Sequence, residues 1–370
     1  MPTKPTYFTA RRRLLQLAGT GALAGFAAPL AFAQDEYGQA LLKGAGSTFV
    51  QPLIQQWIKQ YRDGQLGAHH AAGNAGLDGD MLGRAALDYE AIGSLAGLQR
   101  LQAKAVDFAF SELPLSGRAL SAQGLLQAPI VLGGVAIVAH VPGLKAPLRL
   151  DGATLAAIYR NRIKSWNDPA IAALNPGATL PALAIVPVHR IEGSGTTYTL
   201  TRYLSTQDTE WRDAVGVDAV VGWPGNVSAR GSSGMARTVS ATSGAIGYLD
   251  AVQASAARLS VVQLKNAAGH FVVPNTAAIE AAARSSPPWR AEPGQDELPT
   301  YVNAPGSASY PIAATVLAVL NQLPAKGGDR RARNFLAWAL ANGQSSARNL
   351  GYVALPASTA QQVRAQLQLT

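Results

Sequence analysis

The chain predicts an α/β fold split between two domains, on three observations. Apolar runs of strand length alternate with helical periodicities from residue 41 to the C-terminus. A length of 370 residues suits two domains better than one and leaves ample material for real cores. Strand-like runs also lead repeatedly into small-residue turns that open a helix, and in open α/β sheets ligands bind at that edge.

Residues 1–33 stand outside the pattern and read as an export signal. Arg11, Arg12 and Arg13 form its charged start, residues 14–30 a glycine-broken apolar stretch, and Ala31-Phe32-Ala33 a small-x-small cleavage site. Consecutive arginines before Leu14-Leu15 point to twin-arginine export, although three in a row also suit the general pathway. A retained membrane anchor fits less well, because the apolar run is short and glycine-rich. Lys4 and these arginines are the only charges there, so the mature part carries 27 basic and 22 acidic groups, net +5 rather than +9. That mild excess, with no basic run interleaved with aromatics, speaks against nucleic acid as a partner. Cysteine is absent, so there is neither a disulfide nor a thiol for lipid attachment.

Leu41-Leu42 suggests a buried strand, followed by a small-residue loop, Gly44-Ala45-Gly46-Ser47-Thr48. Phe49, Leu53, Trp57 and Tyr61 then recur every four residues beside Ile54 and Ile58, which predicts an amphipathic helix to residue 62. Pro52 falls in its first turn, where a missing N–H matters least, and Trp57 and Tyr61 read as core. Residues 63–90 are glycine-rich and read as a solvated loop or hairpin; His69, His70, Asp78 and Asp80 offer a metal site as the alternative. Residues 91–97 form a second serine loop, before a helical stretch at 98–103. Residues 106–110 are a short buried strand, ending at Ser111-Glu112.

Residues 129–140 are long enough for two strands, or for one strand that passes between domains. Helices are expected at 151–161 and 171–174, and a strand at 183–188 delivers Arg190. Further on, 235–240 reads as a helix, Arg230 to Gly234 as a cleft-lining or solvated loop, and 245–248 as a strand. Residues 285–311, rich in proline and glycine, read as a crossing segment. Segments 313–323, 330–342 and 358–367 read as helices, with Arg330, Arg331 and Arg333 on an exposed face.

The most informative stretch is His189-Arg190-Ile191-Glu192-Gly193-Ser194-Gly195-Thr196-Thr197-Tyr198. Its glycines let backbone N–H groups approach a small anion, and Ser194 and Thr196 add hydroxyl donors. The helix expected at 198–204 would present its free N–H groups and positive dipole end. Arg190 supplies a planar donor fork suited to oxyanions, and Glu192 is placed to hold that fork. The same residues would also make an ordinary Gly/Ser turn capping a helix.

Taken in order, these motifs resemble the periplasmic phosphate-binding proteins of phosphate ABC transporters. Gly44 to Phe49 is similar to that family's GAGATF-like stretch, Ser94 to the serine of its GIGSSGG-like loop, residues 106–116 to its VDFGASDAPLS-like element and residues 190–196 to its RADGSGT-like element. Gly133-Gly134, Leu174-Asn175-Pro176-Gly177, Trp223-Pro224 and Gly244 to Tyr248 match as well, so the likeness runs through residues 41–370. The resemblance implies a two-lobed periplasmic-binding-protein fold with a ligand cleft between the lobes and two chain crossovers. Residues 40–133 with 310–370 would form one lobe and 134–309 the other. Thr48, the backbone of Phe49, Ser94, Arg190, Ser194, Gly195 and Thr196 would donate to phosphate, with Ser47 and Glu192 in support and Glu112 as the acceptor carboxylate. It also implies a soluble, exported monomer without cofactor or catalysis, delivering phosphate to ABC permease subunits.

Glu112 departs from the family, which has aspartate there. The carboxylate would accept the hydrogen that phosphate keeps near neutral pH and sulfate lacks, so its reach bears on selectivity. Residues 63–88 form a longer link than the family's. Two other functions remain open on the residues alone. One is a phosphatase using Ser194 with His189, against which no G-x-S-x-G elbow or metal cluster is evident. The other is an exported oxyanion-binding or interaction protein uncoupled from transport.

Overall fold

The computed structural model describes residues 42–71, 87–225, 227–287, 301–322 and 328–369. The expected export signal lies outside them, and so do the side chains on which the metal reading of His69, His70, Asp78 and Asp80 rests.

The first strand, β1 (Leu42–Gly46), is buried apart from Lys43. It continues through the glycines expected to form a loop. Gly44 permits this because a Cβ would stand 2.2 Å from the Phe108 ring, and the chain turns only after Gly46, at φ +127°. The next helix is Gln51–Ala71, with Pro52 in its first turn as expected. Phe49 precedes it, and residues 63–71 are helical where the glycines suggested a loop. Leu53, Ile54 and Trp57 are fully buried. Trp57 Nε1 donates to Gly343 O at 2.8 Å, and Tyr61 packs edge-on against Phe335 and Trp338.

β2 (Leu87–Ala91) and β3 (Phe108–Ser111) flank β1 in parallel, linked by helix Ser94–Gln102. β4 (Leu125–Ala139) is one strand of 15 residues, all buried, the second of the two arrangements its apolar run allowed. β5 (Arg149–Leu150) is short, and Asp151 caps helix Gly152–Tyr159 by accepting from Thr154 N. β6 (Val186–Arg190) leads into helix Gly195–Gln207, and β7 (Val227–Ala229) into helix Gly231–Ala241. β8 (Ala245–Asp250) leads into helix Ala251–Ala256; β9 (Gln263–Lys265) and β10 (Phe271–Val272) form a small sheet with β5.

β11 (Ala313–Asn321) corrects the helix expected at 313–323. Its Ala-Ala-Thr-Val-Leu-Ala-Val-Leu run lies antiparallel between β3 and β4, covered on both faces. A short run that is apolar but for Thr315 carries no period that separates strand from buried helix, and the sheet context overrides the helical preference of Ala and Leu. β12 (Val353–Ala354) pairs with β4. Arg333 corrects the exposed arginine face: in helix Gly328–Ala341 it is buried and donates to the carbonyls of Asn321, Gln322 and Leu367.

The main sheet runs β2-β1-β3-β11-β4-β8-β6-β7. β4 pairs with β11 through residues 125–134 and with β8 through 135–139, so this one strand changes partner at Gly134-Val135. The chain passes this seam again just before β11, where Val135 N donates to Ile312 O at 2.9 Å and Tyr310 Oη to Val135 O at 2.7 Å. Among the described residues, no helix is long and apolar enough to cross a membrane.

Candidate functional site

β1 and β3 are parallel and end at one edge. β6, beyond β4 and β8, runs the opposite way, yet its end meets theirs, where Arg190 Nη2 donates to Thr48 Oγ1. β1 is followed by Ser47 and Thr48, β3 by Glu112, and β6 ends on Arg190. Ser94 opens helix Ser94–Gln102, and Ser194 caps helix Gly195–Gln207, its Oγ accepting from Thr197 N at 3.2 Å. Gly195 and Thr196 are that helix's first residues, where backbone N–H groups have no helical partner.

Glu112 stands between the lobes. Ser47 Oγ donates to its Oε1 and Ser94 Oγ to its Oε2, the latter at 3.0 Å. A Cβ on Gly195 would lie 2.4 Å from Glu112 Oε2 and 2.7 Å from Ser94 Oγ. Leu95 N donates to Gly193 O at 3.2 Å across the same seam, so the cleft is closed.

Arg190 is buried and fixed on most sides. Its backbone N donates to Tyr248 Oη at 3.0 Å, its Nε to Glu192 Oε1 at 2.7 Å, and its Nη2 to Glu192 Oε1 and to Thr48 Oγ1, the latter at 2.9 Å. Glu192 therefore braces the guanidinium, and Gly231 N holds the same carboxylate oxygen at 3.0 Å. Two atoms of this pair are left over. Arg190 Nη1 and Glu192 Oε2 are buried without a hydrogen-bond partner. A buried guanidinium N–H is seldom left unpaired, and a donor held in reserve implies a missing acceptor.

The ten predicted residues thus converge on one buried place, with one difference in use. Phe49 N donates to Ser47 Oγ at 3.0 Å. His189 points elsewhere: its ring stacks on Trp223, and its Nδ1 lies 3.1 Å from Arg190 O. Among the described residues, no group of three or more His, Cys, Asp or Glu is placed to hold a metal.

The sequence reading singled out neither Asp250 nor Gln253, and gave Tyr248 no contact with the site. Helix Gly231–Ala241 starts four residues before the one expected, and Ser232 lies in the cleft, the first of the two readings of residues 230–234. Asp250 had one signal, a carboxylate at the end of an apolar strand opening a helix, and it caps that helix through Gln253 N.

Burial without water raises a carboxyl's pKa, because the charged form loses solvation. It does so for Glu112, against the lowering effect of its serine donors and Arg190. Burial pushes Asp250 up to about 7, although Gln253 and Ser232 hydrogen-bond it. Between the ordinary carboxyl range and pH 7 the folded chain therefore holds a proton that the unfolded chain releases, and stability falls as pH rises through that window. The thermal midpoint is expected to drop by several degrees from about pH 5 to pH 8, and Asp250→Asn to flatten the slope, leaving the part due to Glu112. Melts of both proteins at the two pH values check this; equal slopes would refute it.

Two lobes that share a strand and close over a buried, donor-rich point have the architecture of a solute-binding protein. The PBP superfamily domain matches residues 28–342. The chain is 36% identical over 326 residues to the phosphate-binding protein PstS of Xylella fastidiosa (strain 9a5c), covering 88% of this chain and 84% of that one. It is also 36% identical over 327 residues to the phosphate-binding protein PstS of Pasteurella multocida (strain Pm70), covering 88% and 89%. The chain belongs to the PBP superfamily and, within it, to the PstS phosphate-binding protein family. The fold is shared with a high affinity periplasmic phosphate-binding protein (PfluDING) solved with phosphate, at TM-score 0.65 and 24% identity over 88% of this chain and 93% of that one. It is shared too with a putative phosphate ABC transporter substrate-binding protein from Clostridium perfringens with bound phosphate, at TM-score 0.58 and 17% identity over 85% and 99%.

Proposed function

We propose that the closed cleft binds inorganic phosphate and that the chain delivers it to an ABC permease for uptake. The observation that carries this is the unpaired, buried Nη1 of Arg190, on a guanidinium aligned by Glu192 and bonded through Nη2 to the Thr48 hydroxyl. Fixed neutral dipoles and one guanidinium suit an oxyanion that must be captured and later released. Gly195 and Thr196 add backbone donors at the helix start, and Phe49 N joins them by exchanging Ser47 Oγ for the ligand. Glu112 accepts the phosphate hydrogen. The lobes would comprise residues 40–133 with 310–370, and 134–309, consistent with the change of partner on β4. Export through residues 1–33, with cleavage after Ala33, would place a soluble monomer in the periplasm.

Binding without catalysis fits the environment of the one serine considered as a nucleophile. Ser194 Oγ is occupied as a helix cap, and His189 is stacked on Trp223. Calorimetric titration of phosphate and sulfate, at about pH 6 and pH 8 because phosphate loses its second proton between them, tests the reading. Phosphate heat without sulfate heat is expected. Comparable sulfate binding would refute Glu112 as a selective acceptor, and silence with both anions would refute phosphate binding and favour a role uncoupled from transport.

A further inference from the structure

Thr48 belongs to the lobe of β1, yet most of its polar contacts come from the other lobe. Gln253 Nε2 donates to Thr48 O at 2.8 Å. Ser232 N donates to Thr48 Oγ1 at 3.3 Å, and the two hydroxyl oxygens lie 3.2 Å apart. Behind these groups sits Asp250, fully buried at the end of β8. Its Oδ1 accepts from Gln253 N at 2.8 Å, and its Oδ2 accepts from Gln253 Nε2 at 2.6 Å. Both protons of the Gln253 amide are therefore in use, one on Asp250 and one across the cleft on Thr48. The Ser232 side chain is hydrogen-bonded to Asp250 as well.

We propose that Asp250 and Gln253 form a strap across the cleft that positions Thr48 for the anion and sets how long the closed cleft retains it. The proposal rests on the reading that the cleft binds phosphate. An amide whose nitrogen is fixed by a carboxylate cannot rotate to present its oxygen, so Asp250 keeps Gln253 turned toward the Thr48 carbonyl. The Thr48 backbone is then held from behind. Its Oγ1 already accepts from Arg190 Nη2 and Ser232 N, which fills its lone pairs, so its single proton points to Ser232 Oγ and is the one it would transfer to an anion. The strap exists only when the lobes are together, because Thr48 lies 205 residues from Gln253 on the opposite wall. Its energy accordingly counts toward the closed, loaded state and little toward the open one. Neither residue needs to touch the ligand: both are positioning residues.

The test compares the full chain with Gln253→Ala, Asp250→Asn and the double variant. Radiolabelled phosphate is chased with unlabelled phosphate for the dissociation rate, and calorimetry supplies the affinity from which the association rate follows. Gln253→Ala removes one cross-cleft hydrogen bond and is expected to speed dissociation about tenfold, with association within about twofold of wild type. Asp250→Asn sets an NH2 group against either Gln253 N or Gln253 Nε2, so one of the two hydrogen bonds that fix the glutamine is lost and dissociation quickens similarly. Because the two residues act as one strap, the double variant is expected to be no faster than Gln253→Ala. The ligand-free thermal midpoint of Gln253→Ala falls by a few degrees, because buried Asp250 Oδ2 loses a partner within its own lobe, whereas faster release at unchanged association reports the lost contact to Thr48. Dissociation from Gln253→Ala within twofold of wild type, or additive effects in the double variant, would overturn the strap. A wild-type chain that fails to bind phosphate is a separate result, and it refutes the cleft reading itself.

Discussion

Arg190→Ala is expected to weaken phosphate binding about a thousandfold, roughly 4 kcal/mol, the largest effect of any single change at the site. The reason lies in the local charge balance. Glu112, Glu192 and Asp250 are buried around the cleft, and Arg190 is the cation among them. Removing it withdraws the donor with the free Nη1 and leaves an incoming anion facing three buried carboxyl groups with only neutral donors to offset them. The loss therefore exceeds that of one hydrogen bond. Lysine should recover only part of it, because an ammonium cannot give Nε and Nη2 to Glu192 and Thr48 while aiming a third donor at the ligand. Titration of both variants, with melts to establish folding, checks the order. An alanine variant within tenfold of wild type would remove Arg190 from the site.

Gly195→Ala should cost about a hundredfold in affinity while leaving the ligand-free protein at least as stable. Gly195 is the first residue of its helix and has no positive φ, so alanine suits its backbone and lowers the entropy of the unfolded chain. The obstacle appears only on closure. The new Cβ would meet Glu112 Oε2 at 2.4 Å and Glu112 Cβ at 2.8 Å, and the second of these is no flexible end that can swing away. The lobes would stop short, parting the donors of one wall from those of the other. A higher or equal melting temperature combined with lost binding is the expected pair of results. Unimpaired binding would mean that the loaded cleft is wider than the closed one described here.

Local chemistry made much of the site readable. Arg190, Glu192, Ser194, Gly195 and Thr196 lie in one turn, where an arginine two residues from a carboxylate and a serine before a helix have few other uses. Glu112 was visible as a carboxylate at the end of a buried strand. What stayed hidden depends on closure. The contacts of Thr48 with Ser232 and Gln253 join residues 184 and 205 positions apart, and no local pattern reports which walls will touch. β11 was misread because burial on both faces erases the alternation that identifies a strand, and Arg333 because its partners are carbonyls of distant segments. Helix and strand ends moved by a few residues wherever capping, as at Asp151 and Ser194, decided the boundary.

The sharing of β4 has a mechanical consequence. A pair of domains joined by slack linkers can swing through wide angles, whereas these two are joined through the middle of a hydrogen-bonded ribbon, laced on one side to β11 and on the other to β8. Opening must be taken up as bend and twist near Gly134, where a Cβ would stand 2.8 Å from Pro274, so even the smallest side chain would crowd the pivot. Such a joint behaves as a stiff leaf spring: it limits travel, keeps the two walls in register from one cycle to the next, and returns them to the same facing positions each time.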